Sequence, residues 1–211
     1  MKLPLLNIDG SKGSSIEISD KIINQKINYK LIKFVIDWQL NHAKPRTAKT
    51  KQRNQIQGST KKIIAQKGSG GARHASKKAP LFVGGGVAHG PKGKVYKIKK
   101  INKKVKKLAL AHTLSKKNLE KNLHILSDVK KEIKKTKEFN VFLQKNKLTS
   151  ALIISDDESL KNINKSARNI KNIKLIKEAG TNIFDLFKYK NVIITSTSAK
   201  KIQNRILNEK D

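Results

Sequence analysis

Ala151-Leu152-Ile153-Ile154 and Val192-Ile193-Ile194-Thr195 are short, nearly continuous apolar runs. Runs of this length without polar alternation fit strands buried on both faces, the habit of parallel strands flanked by helices. Leu123–Leu126 and residues 173–176 have the same character. Between and after these four runs lie amphipathic stretches at 134–145, 158–168, 182–187 and 198–208. Strands that alternate with helices predict an α/β fold: a parallel sheet with helices on both faces, a Rossmann-like three-layer arrangement. Further upstream, residues 3–8 read as a first strand. Tyr29–Ala43 has helical spacing, with Leu31, Phe34, Val35 and Trp38 on one face. A second helix is expected at 104–117, where Val105, Leu108, Ala109 and His112 form a stripe.

The residues between these two helices do not behave as part of the core. The chain has 211 residues, 48 Lys+Arg against 15 Asp+Glu, and a formal net charge of +33. Residues 38–119 contain no acid and hold 22 of the 48 basic residues, so two-thirds of the excess charge sits in one internal stretch. Residues 58–93 hold nine of the 12 glycines, and residues 44–94 show no sustained periodicity. Glycine raises the entropy lost on ordering, and few apolar groups offset it, so this segment is expected to be largely disordered in the isolated protein. The domain reading follows: 1–43 and 98–211 form a globular core, and 44–97 form a long extended basic loop inserted between the first two helices. A loop of about 50 residues, out and back, reaches roughly 80 Å at about 3.3 Å per residue. A core of about 150 residues has a radius of gyration near 15 Å. Such a loop can reach well beyond its own globule.

Charge of this size and sign points to a polyanion, and nucleic acid is the usual one. A membrane surface is the runner-up, but no apolar run approaches the roughly 18 residues that span a bilayer, and the first residues carry no secretion signal. There is no cysteine, hence no disulfide or thiolate metal site, and a cytoplasmic location fits. Only five of the basic residues are arginine. Lysine acts on phosphate as a point charge, which favours backbone contacts over base reading. The expected phosphate-contacting residues are Arg46, Lys49, Lys51, Arg53, Lys61, Lys62, Lys67, Arg73, His74, Lys77, Lys78, Lys92, Lys94 and Lys97. Few aromatics accompany them, so base stacking is not the main mode.

Chemistry finds little support. Gly93-Lys94-Val95 lacks the upstream glycine and the hydroxyl of a phosphate-binding loop. Gly68-Ser69-Gly70-Gly71-Ala72-Arg73 has arginine where the dinucleotide fingerprint needs glycine, and it does not join a strand to a helix. The five histidines are scattered with no second ligand at helical spacing, so neither a metal site nor a cofactor is expected. The reading is not an enzyme. Of the alternatives, a free nucleic-acid-binding or RNA-chaperone protein comes ahead of a nucleotide-using α/β enzyme, which is a distant one.

Gly58-Ser59-Thr60-Lys61-Lys62, then Gln66-Lys67-Gly68-Ser69-Gly70-Gly71-Ala72-Arg73, Ala79-Pro80 and Gly84-Gly85-Gly86-Val87-Ala88-His89-Gly90-Pro91 resemble the bacterial large-subunit ribosomal protein L-four family. So do Asn102-Lys103-Lys104-Val105-Lys106-Lys107-Leu108-Ala109-Leu110, Ala167-Arg168-Asn169, and Gly180-Thr181-Asn182-Ile183-Phe184-Asp185, and the likeness covers nearly the whole chain. The chain departs from that pattern at Ile64 and Ala65, where the family usually has an aromatic and a basic residue. The resemblance implies a structural constituent of the large ribosomal subunit that binds 23S-type rRNA early in assembly and acts as a monomer within the cytoplasmic ribosome. It implies a globular domain on the solvent side and a loop threaded into rRNA. It also implies that the loop tip, Gln66, Lys67, Gly68, Ser69, Gly70, Gly71, Ala72 and Arg73, lines the nascent-peptide exit tunnel beside ribosomal protein L-twenty-two.

Overall fold

The computed structural model describes residues 1–8, 12–44, 46–93, 100–129 and 131–207. It falls into two units, Met1–Leu40 with Lys100–Asp211, and Asn41–Lys99.

The first unit is α/β. Its strands are β1 (Lys2–Leu6), β2 (Lys12–Glu17), β3 (Leu123–Leu126), β4 (Ala151–Ser155), β5 (Ile173–Lys177) and β6 (Asn191–Thr195). Its helices are α1 (Asp20–Ile23), α2 (Tyr29–Ala43), α3 (Lys103–Leu119), α4 (Thr136–Lys145), α5 (Asp157–Ala167), α6 (Ile183–Lys188) and α7 (Ser196–Leu207). One sheet runs in the order β2-β1-β3-β6-β4-β5. All neighbours are parallel except β1 and β2, which pair antiparallel. The sheet is therefore mixed, which corrects the expectation of a purely parallel one. Strand β2 was missed because Lys-Gly-Ser-Ser-Ile-Glu, at the edge of the sheet, has neither an apolar run nor alternation. The short helix α1 was missed too, so the insertion lies between the second and third helices rather than the first and second.

The central strands read as apolar because both of their faces are covered. Every residue of β4 and β6 is buried. Leu152, Ile154, Val192 and Ile194 belong to one core cluster with α1, α2, α3, α6 and α7. Ala151, Ile153 and Ile193 face the other, with Phe139, Phe142 and Leu143 of α4 and Ile163 of α5. The strands hand over directly to helices through side-chain caps that satisfy orphan N–H groups. Asp156 accepts from the Ser159 amide at 3.4 Å, and Asn182 from the Asp185 amide at 2.8 Å. Asp128, just beyond β3, accepts from the Thr197 amide at 3.1 Å at the start of α7. Lys117 of α3 is buried, and its Nζ donates to the carbonyls of Tyr189 at 2.8 Å and Lys190 at 3.1 Å. Burial pulls this ammonium below the usual lysine range, with Glu120 opposing the shift.

The described residues of the second unit include the end of α2, a 3-10 turn at Arg53–Gln55 and an antiparallel bridge between Lys49 and Lys92. The unit is stitched by main-chain hydrogen bonds. The Thr50 amide donates to the Pro91 carbonyl at 2.9 Å, Val87 to Lys51 at 2.9 Å, and Gly86 to Lys78 at 3.0 Å. The triple-glycine run lets three segments meet backbone to backbone. A Cβ on Gly86 would lie 2.3 Å from the Arg53 nitrogen, and one on Gly85 would lie 2.0 Å from the Ala79 oxygen. Residues 49–55, 76–82 and 85–92 thus form a node. Periodicity does not reveal it, because main-chain contacts rather than an apolar stripe hold most of it together.

Two outcomes follow. Ile153→Ala is expected to lower unfolding free energy by about 2–5 kcal/mol in urea titration. Val141→Ala, on the exposed side of α4, should change it by no more than about 0.5 kcal/mol. Hydrogen exchange on the isolated protein should show the Thr50, Gly86 and Val87 amides slowed and residues 61–71 exchanging freely. Gly86→Ala should remove that protection. Gly71→Ala should not, because the nearest atom its Cβ would meet is 4.0 Å away. Equal protection in the two variants would show that close approach at Gly86 does not hold the node.

Candidate nucleic-acid interface

Most of the basic side chains of the second unit are exposed. Arg46, Lys49, Lys51, Arg53, Lys61, Lys62, Lys67, Arg73, Lys77 and Lys92 are exposed, and Lys78 and His74 are half-buried. Lys94 and Lys97 lie outside the described residues. None of the described lysines and arginines of 46–93 is ion-paired, and residues 38–119 contain no acid that could serve as a local counterion. A cluster of cations without internal counterions is a surface held ready for an external anion.

The basic residues do not form one patch. Arg53 and Lys78 are brought together by the node and line one cleft with Gln52, Asn54, Thr60 and Ser76. Lys62 turns instead to Gln66, its Nζ donating to Oε1 at 2.5 Å. His74 stacks edge-on against Phe82, with ring centres 4.9 Å apart, so it helps to pack the loop as well as presenting a donor. The four uncharged cleft residues were not picked out from the sequence. The only signal was their position beside basic residues.

The stretch Gln66, Lys67, Gly68, Ser69, Gly70, Gly71, Ala72, Arg73 is exposed at every position. Gly68 and Gly70 have φ of +82° and +64°, yet a Cβ on either would meet nothing within 4 Å. Here glycine answers to backbone conformation, whereas at Gly85 and Gly86 it answers to space.

The remaining surface bears on the alternatives. In open α/β sheets, ligands sit in the crevice beyond the carboxyl ends of the strands. Here that crevice is a cleft of about 580 Å³ lined by four carboxylates, Asp128, Asp156, Asp157 and Glu158, against a single cation, Lys201, a predominantly acidic setting that disfavours phosphate. Two of these carboxylates are already engaged at helix starts. Among the described residues no group of three or more histidines and carboxylates is placed to hold a metal, and no helix is long and apolar enough to cross a membrane.

Comparison with known proteins gives a direct answer on kinship. Residues 16–205 match the Ribosomal protein L4/L1 family. The large ribosomal subunit protein uL4 of Pelagibacter ubique is 51% identical over 206 residues, covering 97% of this chain and 99% of that protein. The protein of the same name from Hyphomonas neptunium is 36% identical, covering 97% and 96%. That of Thermotoga maritima is 36% identical, covering 99% and 96%. The family is one of ribosomal structural proteins and not of enzymes. With a match that spans both the sheet unit and the glycine-rich basic insertion, the chain belongs to the Ribosomal protein L4/L1 family.

Proposed function

We propose that this chain is a structural constituent of the large ribosomal subunit and that residues 44–97 bind 23S-type rRNA. One observation carries the reading: 22 basic residues and no acid in residues 38–119, with all the described lysines and arginines of the insertion exposed except half-buried Lys78 and none ion-paired. Family membership supports it, since the curated relatives are themselves large-subunit proteins. In this reading the globular core, 1–43 and 98–211, is the body. The loop's flanking stems neutralise phosphates early in assembly. Its tip, Gln66 to Arg73, lines the peptide exit tunnel, with ribosomal protein L-twenty-two as neighbour. The protein works as a monomer within the cytoplasmic ribosome and needs no cofactor.

The stems and the tip differ in what they offer. Arg46, Lys49, Lys51, Arg53, Lys61 and Lys62 precede the tip, and Lys77, Lys78, Lys92, Lys94 and Lys97 follow it. The tip itself has two charges, Lys67 and Arg73, and three glycines. Anchoring therefore falls to the stems, through phosphate contacts. The tip supplies a slender backbone that can pass close to RNA and leave a tunnel open.

Binding of the full chain to an rRNA transcript should weaken steeply with salt. Counterion release gives about −0.7 to −0.9 in the log–log slope per phosphate neutralised, so engaging half of the 22 cations implies a slope near −8 to −10. A slope shallower than about −3 would remove the cationic stretch as the binding surface. Within the loop, Lys67→Glu should leave incorporation into large subunits intact on a sucrose gradient but alter macrolide sensitivity or nascent-chain stalling. Glutamate at all four of Lys61, Lys62, Lys77 and Lys78 should block incorporation. The opposite pattern would reverse the division of labour between stem and tip.

A further inference from the structure

We propose that the glycine node carries a built site for one phosphodiester group of RNA, with Arg53 and Lys78 as its two cationic ligands. The proposal rests on the RNA-binding reading above and narrows it to a single position. The site is a cleft of about 590 Å³ lined by Gln52, Arg53, Asn54, Thr60, Ser76 and Lys78. Its chemistry is one-sided. Two side chains are basic, four are neutral amides or hydroxyls able to donate, and none is a carboxylate or an apolar group. Such a lining repels metal ions and offers nothing to an aliphatic ligand. A phosphate is the group that accepts from all of these donors at once. The volume leaves room for the attached ribose.

The lining comes from three separate segments, and the backbone of the node fixes two of them. Gly86 lies between them. Its missing Cβ leaves the space into which the Arg53 backbone fits, with a Cβ position 2.3 Å from the Arg53 nitrogen. Its amide donates to the Lys78 carbonyl at 3.0 Å. On the Arg53 side, the Gln55 amide donates to the Gln52 carbonyl at 2.8 Å and the Gln52 amide to Gln55 Oε1 at 3.1 Å. On the other side, the Lys78 amide donates to Ser76 Oγ at 3.3 Å and the Ala79 amide to the Ser76 carbonyl at 3.1 Å. The Lys78 stem runs past Gly58, whose Cβ position is 3.5 Å from Lys78 Cε. The main chains that bear both cations are thus held before any ligand arrives, and less ordering entropy is lost on binding. Arg53 can supply a planar pair of donors to two phosphate oxygens, and Lys78 a point charge beside them. Lys61, Lys62 and Lys77 are exposed and outside the cleft, so they act only through the general field.

The test uses the full chain, a large-subunit rRNA transcript and filter binding across salt, with Gly86 amide protection confirming the node in each variant. Arg53→Gln and Lys78→Gln should each weaken binding about tenfold or more, the scale of a charged hydrogen bond. The double variant should lose clearly less than the product of the two, because either change alone already leaves the phosphate half-held. Lys61→Gln and Lys62→Gln should each lose only about a few-fold and combine with Arg53→Gln as a simple product. Thr60→Val, which removes a donor and no charge, should weaken binding with the salt slope unchanged. Steep salt dependence in the unaltered chain, with Arg53→Gln and Lys78→Gln no worse than Lys61→Gln and fully multiplicative, overturns the site and leaves the RNA-binding reading standing. Binding of the unaltered chain that ignores salt overturns that reading, and the site with it.

Discussion

A lysine or arginine between residues 38 and 119 has no carboxylate in that stretch to neutralise it. This constraint organises the molecule. In the sheet unit the acids are engaged in holding structure. Asp128 and Asp156 accept from amides at the starts of α7 and α5, and Asp185 pairs with Lys174 at 2.6 Å. In the insertion there is nothing equivalent, so its compactness comes from neutral main-chain hydrogen bonds and from glycine. Ordering the backbone without adding carboxylates keeps the positive field intact. Cohesion and charge are thereby separated: the node supplies one without diminishing the other.

The sequence disclosed whatever side-chain type records. Strands β4 and β6 were legible because burial on both faces demands apolar residues at every position, as Leu152, Ile153 and Ile154 show. Helices α2, α4, α5 and α7 were legible to within a few residues, although the buried face of α2 carries Ile32 and Val35 while Phe34 of the expected stripe is exposed. Strand β2 was not, because an edge strand need bury only part of one face, and Ile16 is its sole large apolar residue. That gap turned a mixed sheet into an expected parallel one. The same division holds for the interface. Charge announced Arg53 and Lys78, but nothing in the sequence said that they share a cleft while Lys61 and Lys62 do not. Their meeting depends on the absence of a Cβ at Gly86 and on carbonyls that every residue carries.

The α/β architecture by itself was an uncertain guide, since folds of this type host many unrelated activities. What separates this chain from a nucleotide enzyme is where each sign of charge lies. The strand-end crevice carries Asp128, Asp156, Asp157 and Glu158, while two-thirds of the excess positive charge lies in the acid-free stretch 38–119 that contains the insertion. The glycines that suggest a nucleotide loop also lie there, away from any junction of strand and helix. Family membership agrees with this reading of the charges.

The pairing of β1 with β3 joins Leu5 to Ile125 and Leu6 to Leu126, across the whole of the insertion. Closing such a loop carries an entropy penalty that grows only with the logarithm of its length, about 0.6 kcal/mol for each doubling. An insertion half as long, or twice as long, would therefore leave the stability of the sheet nearly where it is. The fold sets the two points from which the insertion leaves and returns, but almost no energetic limit on how far the chain travels in between. Its length is free to be set by the depth of whatever it must reach.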